Sequence, residues 1–217
     1  MGVKVFVLGR PGSGKSTAAH HLNHLAQCQS WSAEHFNDYD ILLEMFLADT
    51  EHKKFRATEH NGFDAIDLSV LDDALKILEA RIQRDAAAAN LVTIEFARDD
   101  YREALRQFTP AFLKDAYVLF LDADIETCIQ RVHDRVEHAI TNDDHPSFSD
   151  DIFRWYYARD NKPYMSTFLR TEFGIRKAVK IIDNTGSLTS FLSSLRLFAD
   201  DLFVQENALL TAASTVL

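Results

Sequence analysis

The stretch VFVLGRPGSGKST, Val5 to Thr17, decides the fold. Within it, Gly9, Gly14, Lys15 and Ser16 match the pattern G-x-x-x-x-G-K-[ST] at every position. An apolar, β-branched run precedes this loop and a helical stretch follows it, which is the context that the pattern requires. Glycines allow successive backbone N–H groups to point inward, and the helix adds the positive end of its dipole. The stretch therefore predicts a cradle for phosphate groups.

The chemistry of the loop points to a nucleoside triphosphate with Mg²⁺. Lys15 is expected to bridge the outer phosphates, and Ser16 to offer its hydroxyl to the metal. A GTPase would carry an N-K-x-D guanine reader, but Asn161-Lys162 continues as Pro163-Tyr164, so we expect ATP. A ring-forming ATPase machine would need a longer chain with a separate helical lid domain. The predicted nucleotide-binding residues of the loop are Gly9, Pro11, Gly12, Ser13, Gly14, Lys15, Ser16 and Thr17.

Composition narrows the possible partners and the location. The 217 residues carry a formal net charge of −10, which disfavours a nucleic-acid backbone as the main partner. The first apolar run, residues 3–8, is too short to span a membrane. Cys28 and Cys128 are too few for a disulfide framework and are expected to be reduced. We therefore predict a cytoplasmic, membrane-free protein, monomeric or homodimeric.

Apolar runs alternate with helical patterns along the chain. Helices are expected at 15–28, 41–48, 68–82 and 124–138, after Ser147 and Asp150 as a capping box, and at the carboxyl terminus. Strands are expected at 3–8, 33–37, 90–96, 116–124 and 178–183. This alternation predicts an α/β fold with a parallel sheet covered on both faces. Ligands bind such sheets at the carboxyl ends of the strands, where polar side chains follow here.

Three segments carry a resemblance to a known group of proteins. GRPGSGKST, ETCIQRVHDRV and IDNTGSL resemble the P-loop kinases of the nucleoside and nucleotide type, namely adenylate kinase and its metabolite-kinase relatives. The resemblance implies a three-layer P-loop NTPase fold with strand order 2-3-1-4-5 in a single domain, 1–217. It also implies an acceptor-side helical segment at 39–90 and a lid at 138–150. Asn184 and Gly186 would then border the adenine ring.

Arg131 and Arg135 lie four residues apart, so they share one helix face. Two guanidinium groups aimed at the phosphates would neutralise the charge of a phosphoryl group in transfer. By resemblance, Arg131 lies against the adenine and Arg135 nearer the γ-phosphate. The alternative is a solvated helix face on which Asp134 and Glu137 pair with these arginines.

Acidic residues after the second and third strands are candidates for the acceptor side. Asp38 and Asp40 project to one side of an extended chain, and shikimate and gluconate kinases have a similar Asp-x-Asp. One such acid serves Mg²⁺, together with Ser16, and the other serves the acceptor hydroxyl. Alternatively, Asp38 or Asp40 simply caps the helix predicted from Ile41.

The third strand ends in EFAR, which resembles the Glu/Arg arrangement of deoxynucleoside kinases. Glu95 is a candidate for Mg²⁺ or the acceptor hydroxyl, and Arg98 for the acceptor. The Asp-Gly-Phe-Pro-Arg run usual in nucleotide kinases is missing, which weakens the case for a nucleoside monophosphate. The fourth predicted strand contains LFLD, which ends at Asp122 and resembles a Walker B motif. Asp122 is not assigned to metal.

Other basic residues are candidates for the acceptor side and for the lid. Lysines, arginines and histidines between His52 and His60 hint at an anionic acceptor, although a solvated loop has a similar composition. Arg154 and Arg159 are candidates for lid arginines that close over the phosphates.

The leading hypothesis is an ATP- and Mg²⁺-dependent phosphotransferase acting on a small hydroxyl- or phosphate-bearing acceptor. Its expected catalytic residues are Lys15, Asp38, Glu95 and Arg135. Two alternatives stay open: a regulatory switch that binds ATP without transfer, and a kinase for a nucleic-acid end or an antibiotic-type acceptor.

Overall fold

A five-stranded parallel sheet organises the protein, whose computed structural model describes residues 2–58, 62–138 and 149–214. The sheet strands are β1 (Val3–Gly9), β2 (Ala33–Asn37), β5 (Leu91–Phe96), β6 (Ala116–Asp122) and β7 (Val179–Asp183). Their spatial order is β2-β5-β1-β6-β7, with all neighbours parallel. Numbered within the sheet alone, this is the predicted order 2-3-1-4-5, so the predicted fold class is confirmed.

Helices cover both faces of the sheet. Their bounds are α1 (Lys15–Cys28), α2 (Tyr39–Ala48), α3 (Ser69–Asp85), α4 (Tyr101–Leu105), α5 (Pro110–Leu113), α6 (Ile125–Glu137), α7 (Asp150–Tyr156), α8 (Lys162–Thr167), α9 (Leu169–Phe173) and α10 (Leu188–Ser214). On one face, Phe6 and Leu8 of β1 pack with α2, α3 and the short helices. On the other, Val5 and Val7 pack with α1 and α10. The alternation of β1 side chains thus supplies two cores.

A two-stranded antiparallel hairpin, β3 (Phe55–Ala57) and β4 (Phe63–Ala65), lies between α2 and α3. The sequence predicted no strands here, because each strand has three residues within a polar stretch. Phe63 stacks on Phe46 and Tyr39 at centroid distances of 4.9 and 5.7 Å, which anchors the hairpin to α2. The predicted acceptor-side segment is therefore a pair of helices joined through a hairpin.

The remaining local predictions concern the start of α7, the lid, the two cysteines and membrane spans. Helix α7 begins at Asp150, so Asp150 is its first residue and not its third as in the predicted capping box. Ser147 lies outside the described residues, as do positions 139–148 of the predicted lid. Cys128 is buried and Cys28 is exposed, and both are free thiols. Over the described ranges, no helix combines the length and apolarity needed to cross a bilayer.

Candidate functional site

A cavity of about 800 Å³ lies at the carboxyl edge of the sheet, where β1, β2 and β5 end. The loop after β1 contributes Pro11, Gly12, Gly14, Lys15, Ser16 and Thr17 to its wall. Asp38, Glu95 and Arg98, which follow or end the neighbouring strands, line the same cavity. The register explains this convergence, because Glu95 pairs with Val7 of β1 and Asn37 of β2.

The glycine-rich loop has backbone conformations that side chains rarely adopt. Gly12 and Gly14 have φ values of 78° and 95°. A Cβ at Gly12 would lie 2.3 Å from the carbonyl oxygen of Cys128, so the loop backbone presses against α6. The cradle can therefore form only with glycine at this point of the turn.

Two side chains from distant parts of the sequence hold the loop in place. The Tyr101 hydroxyl accepts from the Gly9 N–H at 2.7 Å and donates to the Gly9 carbonyl at 2.9 Å. The Asn184 side chain donates to the Ser13 carbonyl at 2.8 Å. All three bonds are buried, so the loop is preshaped.

Arg10 fastens the loop to the segments after β6 and α7. Its guanidinium donates to the carbonyl oxygens of Ala123, Tyr157 and Arg159 at 2.9, 3.0 and 2.8 Å. These bonds bring the end of α7 to the cavity, since Tyr157 is also part of the cavity wall.

Lys15 is buried at the floor of the loop, where its ammonium donates to the Arg10 carbonyl at 3.0 Å. Burial lowers the pKa of Lys15, while the nearby carboxylates of Glu95 and Asp38 act in the opposite direction. A polyphosphate would supply the negative charge that a buried ammonium requires.

Glu95 is placed beside the loop hydroxyl. The Ser16 hydroxyl donates to Glu95 Oε1 at 2.9 Å. His35 Nε2 lies 3.4 Å from Glu95 Oε2, and the other ring nitrogen of His35 is 3.1 Å from the Thr93 hydroxyl. Two neighbouring strands thus fix the position of the Glu95 carboxylate.

The residues present fit a Mg²⁺ ion. Glu95 Oε2 is buried and has no hydrogen-bond partner among the described residues, so it is an acceptor that a cation would satisfy. Within the described ranges, no three His, Cys, Asp or Glu side chains form a metal-binding group. Mg²⁺ usually takes one or two protein oxygens and completes its shell with water and phosphate. Ser16 and Glu95 would hold the ion here, whereas the prediction from the sequence is that Ser16 and Asp38 do.

Asp38 is engaged differently, in a buried ion pair. Arg98 Nη1 donates to Asp38 Oδ2 at 2.5 Å, and the exposed fractions of the two side chains are 5% and 9% for Arg98 and Asp38. Burial on its own would lower the pKa of Arg98, but the Asp38 carboxylate, with Tyr156 and Tyr157, outweighs burial and the pKa is raised. Asp38 precedes α2 without capping it through its side chain.

The predicted side-by-side arrangement of Asp38 and Asp40 is wrong. The chain enters α2 at Tyr39, so Asp40 belongs to the first helical turn and not to an extended segment. Asp40 is exposed and does not line the cavity. The periodicity of an extended chain ceases to apply one residue after Asp38.

Arg131 and Arg135 of α6 both line the cavity. Arg131 Nη1 is buried and has no hydrogen-bond partner among the residues described, so it is a donor available to a bound anion. The shared helix face predicted from the spacing is therefore the face that borders the loop.

The remaining predicted residues lie outside the cavity wall. Gly9, Ser13 and Asn184 shape or support the loop, and Gly186 lies in the turn after β7. Asp122 pairs with Lys162 at 2.7 Å. Neither Asp122 nor Gly186 borders the cavity.

The two candidate lid arginines are held by acids on the protein surface. Arg154 pairs with Glu126 at 3.0 Å, and Arg159 pairs with Asp100. Neither arginine lines the cavity.

Several functional positions were not found from the sequence. His35 could have been found, because it shares with Asn37 one side of β2 and precedes the strand end by two residues. No sequence pattern predicts the roles of Tyr101 and Arg10, because their hydrogen-bond partners are far away in the sequence. Asp64 of the hairpin, which lines the cavity, was not singled out, because β4 has only three residues and shows no pattern.

The parallel sheet, its strand order and the glycine-rich loop define a P-loop, nucleotide-binding protein of the kinase-like class. The model of the family described as AAA domain matches residues 5–151, and the chain belongs to this family.

Solved structures share the fold, among them two complexes with bound ligands. The chain is similar to Kti12 of Chaetomium thermophilum in complex with ADP-AlF3, at 15% identity and a TM-score of 0.56, covering 92% of this chain and 97% of that chain. It is also similar to shikimate kinase of Acinetobacter baumannii in complex with shikimate, at 13% identity and a TM-score of 0.50, covering 96% and 94%. No curated protein gives a significant match.

Proposed function

We propose that this protein transfers the γ-phosphate of ATP to a small-molecule acceptor. One observation carries the proposal: the phosphate loop and the pair formed by Asp38 and Arg98 line a single cavity. A donor held by the loop and an acceptor held near Asp38 would share one enclosed space, as phosphoryl transfer requires. Of the two similar structures, one is a complex with ADP-AlF3 and the other a complex with shikimate, which is a hydroxyl-bearing small molecule.

In this proposal each residue has a distinct role. Lys15 and the two arginines of α6 neutralise the phosphate charge, and Ser16 and Glu95 hold Mg²⁺. The metal, when bound, offsets charge on the outer phosphates. As the acceptor oxygen bonds to the γ-phosphorus, the bond from that phosphorus to the β–γ bridging oxygen breaks. Asp38 orients the acceptor hydroxyl and takes its proton.

The test is an ATP-consumption screen of the purified chain across nucleosides, nucleoside monophosphates, sugar acids and aminoglycosides. We expect one class to raise turnover in the wild type, and Lys15→Ala to abolish that increase because the outer phosphates lose their buried cation. A lack of acceptor-dependent turnover above the Lys15→Ala background would reject transfer.

A nucleotide-dependent switch is the second candidate. The observation that favours it is the ion pair itself, because Arg98 already occupies the carboxylate that transfer would use. A switch would bind ATP in a Lys15-dependent way, yet no acceptor would increase its consumption.

A further inference from the structure

The part of the cavity facing away from the phosphate loop is mainly apolar. We call it the acceptor half, and α2, the β3–β4 hairpin, the start of α3 and α7 contribute to it. Its apolar and aromatic wall includes Tyr39, Leu42, Phe55, Phe63, Leu71 and Trp155. Trp155 is 69% exposed although it borders the cavity, so its ring is available to a ligand.

The only lysine or arginine among the described residues of the acceptor half, Arg98, is already paired with an acid. Arg98 donates to Asp38, to the Ala97 carbonyl and to the Leu71 carbonyl, the last two at 2.6 Å. An acceptor anion would therefore meet a guanidinium whose charge Asp38 already offsets and of which only Nε lacks a hydrogen-bond partner among the described residues. The other lysine and arginine side chains on the wall, Lys15, Arg131 and Arg135, come from the phosphate loop and α6.

A second carboxylate gives the acceptor half a negative character. Asp64 is 5% exposed, and it accepts from Arg56 at 3.0 Å and from the Ser149 hydroxyl at 3.2 Å. Asp64 itself lines the cavity, whereas the side chain of Arg56 is 59% exposed and is absent from the wall. An acceptor anion would therefore meet the acid and not its partner cation.

We propose, resting on the proposed function, that the acceptor is an uncharged, hydroxyl-bearing ring compound. Its ring would lie against Trp155 and the aromatic wall, and its hydroxyl would face Asp38. Phosphorylated and carboxylated acceptors are disfavoured, because Asp64 repels them and the charge of Arg98 is already offset by Asp38. Of the hydroxyl- and phosphate-bearing acceptors considered, this leaves those that carry a hydroxyl but no anionic group, and it excludes nucleoside monophosphates.

The chain offers a direct optical test, since it has two tryptophans and only one lines the cavity. Trp31 packs on Phe203 at 5.1 Å, away from the site. In the full-length Trp31→Phe variant, Trp155 fluorescence is titrated with three matched pairs in the presence of a non-hydrolysable ATP analogue. The pairs are thymidine and thymidine 5′-monophosphate, methyl shikimate and shikimate, and tyrosol and 4-hydroxyphenylacetate.

We expect the uncharged member of at least one pair to change Trp155 fluorescence with an affinity at least tenfold above that of its anion. Asp64→Asn should narrow this ratio several-fold by removing the repelling charge. Asp73→Asn is the matched control, because Asp73 also pairs with a cation, Lys76, but lies outside the cavity. It should leave the ratio unchanged.

Equal or tighter binding of the anions, or no fluorescence response to any uncharged member, overturns the inference. A response that persists in the Trp155→Phe, Trp31-containing protein also overturns it, because the signal would then arise elsewhere. Acceptor-dependent ATP consumption above the Lys15→Ala background is measured separately with the same compounds. Failure of the acceptor class alone would show as turnover with anionic acceptors only, whereas failure of the proposed function would show as no acceptor-dependent turnover at all.

Discussion

Two carboxylates on neighbouring strand ends differ in their surroundings and therefore in their chemistry. Glu95 shares one oxygen with the Ser16 hydroxyl and has the other without a hydrogen bond among the described residues. Asp38 is locked to Arg98, 60 residues away in the sequence. The sequence placed both acids at the carboxyl edge of the sheet, because strand ends can be read from local patterns. It could not divide their roles, because an ion pair between distant residues leaves no local pattern.

The first prediction concerns Glu95. We expect Glu95→Gln to raise the Mg²⁺ concentration needed for half-maximal ATP binding by about 10- to 100-fold, since a neutral amide is a poorer ligand than a carboxylate. The Gln side chain keeps an acceptor for Ser16, so the fold should be retained. Mg²⁺ titrations with a fluorescent ATP analogue measure the effect. Glu103→Gln, at an exposed acid on α4, is the control. An unchanged Mg²⁺ requirement would remove Glu95 from the metal site.

The second prediction concerns the buried ion pair. Asp38→Asn leaves the Arg98 guanidinium buried without its counter-charge, which typically costs about 3–5 kcal/mol of unfolding free energy. Urea unfolding followed by circular dichroism measures this loss. Glu44→Gln breaks the exposed pair between Glu44 and Arg81 and should have a small effect, because water solvates both partners. If both variants lose the same stability, Asp38 and Arg98 are not a buried pair in solution.

At the scale of elements, hydrophobic periodicity located the long helices and the sheet strands. The helix predicted at 15–28 is α1, and the strand predicted at 33–37 is β2. The hairpin was not predicted, because strands of three residues are too short to show an alternation of apolar and polar side chains. Its packing on α2 depends on aromatic contacts between residues distant in the sequence. The sequence could therefore predict the phosphate-loop side of the site better than the acceptor half.

The third prediction concerns the start of α6, the helix that presents Arg131 and Arg135. Asp124 accepts from the Thr127 N–H at 2.8 Å and from its hydroxyl at 2.6 Å. These bonds, led by that of the hydroxyl, lower the pKa of Asp124 below its usual 3.8. Because the folded pKa is the lower one, the stabilisation is present above the unfolded value and is lost as pH falls through the folded value.

Asp124→Ala should accordingly unfold at a lower urea concentration than the wild type at pH 7, and the gap should narrow below pH 3.8. Asp124→Asn keeps a capping oxygen but cannot titrate, so any gap that it shows should vary little with pH. Urea midpoints at several pH values give the comparison. A gap for Asp124→Ala that is constant across them would contradict the assigned cap.

At the scale of the whole molecule, contacts between distant segments complete the phosphate loop. Tyr101 reaches Gly9 across 92 residues, and Asn184 reaches Ser13 across 171. The resemblance predicts that Asn184 borders the adenine, and the structure adds that its side chain holds the backbone of the phosphate loop. Local patterns predict the loop and its helix, but the supports that rigidify it exist only once the sheet has brought β5 and β7 beside β1 and β6.

The fourth prediction therefore tests Asn184 as a support of the loop. Asn184→Ala leaves the buried Ser13 carbonyl without its donor, which costs about 1–3 kcal/mol. If the loss falls on the shape that binds phosphate, ATP affinity drops by about tenfold for each 1.4 kcal/mol. Titration with a fluorescent ATP analogue gives the affinity, and urea unfolding gives the stability.

Asn207→Ala, at an exposed asparagine on α10, controls for the substitution itself. Lower stability with unchanged ATP affinity would instead assign Asn184 to the fold alone, and the loop would then owe its shape to Tyr101 and Arg10.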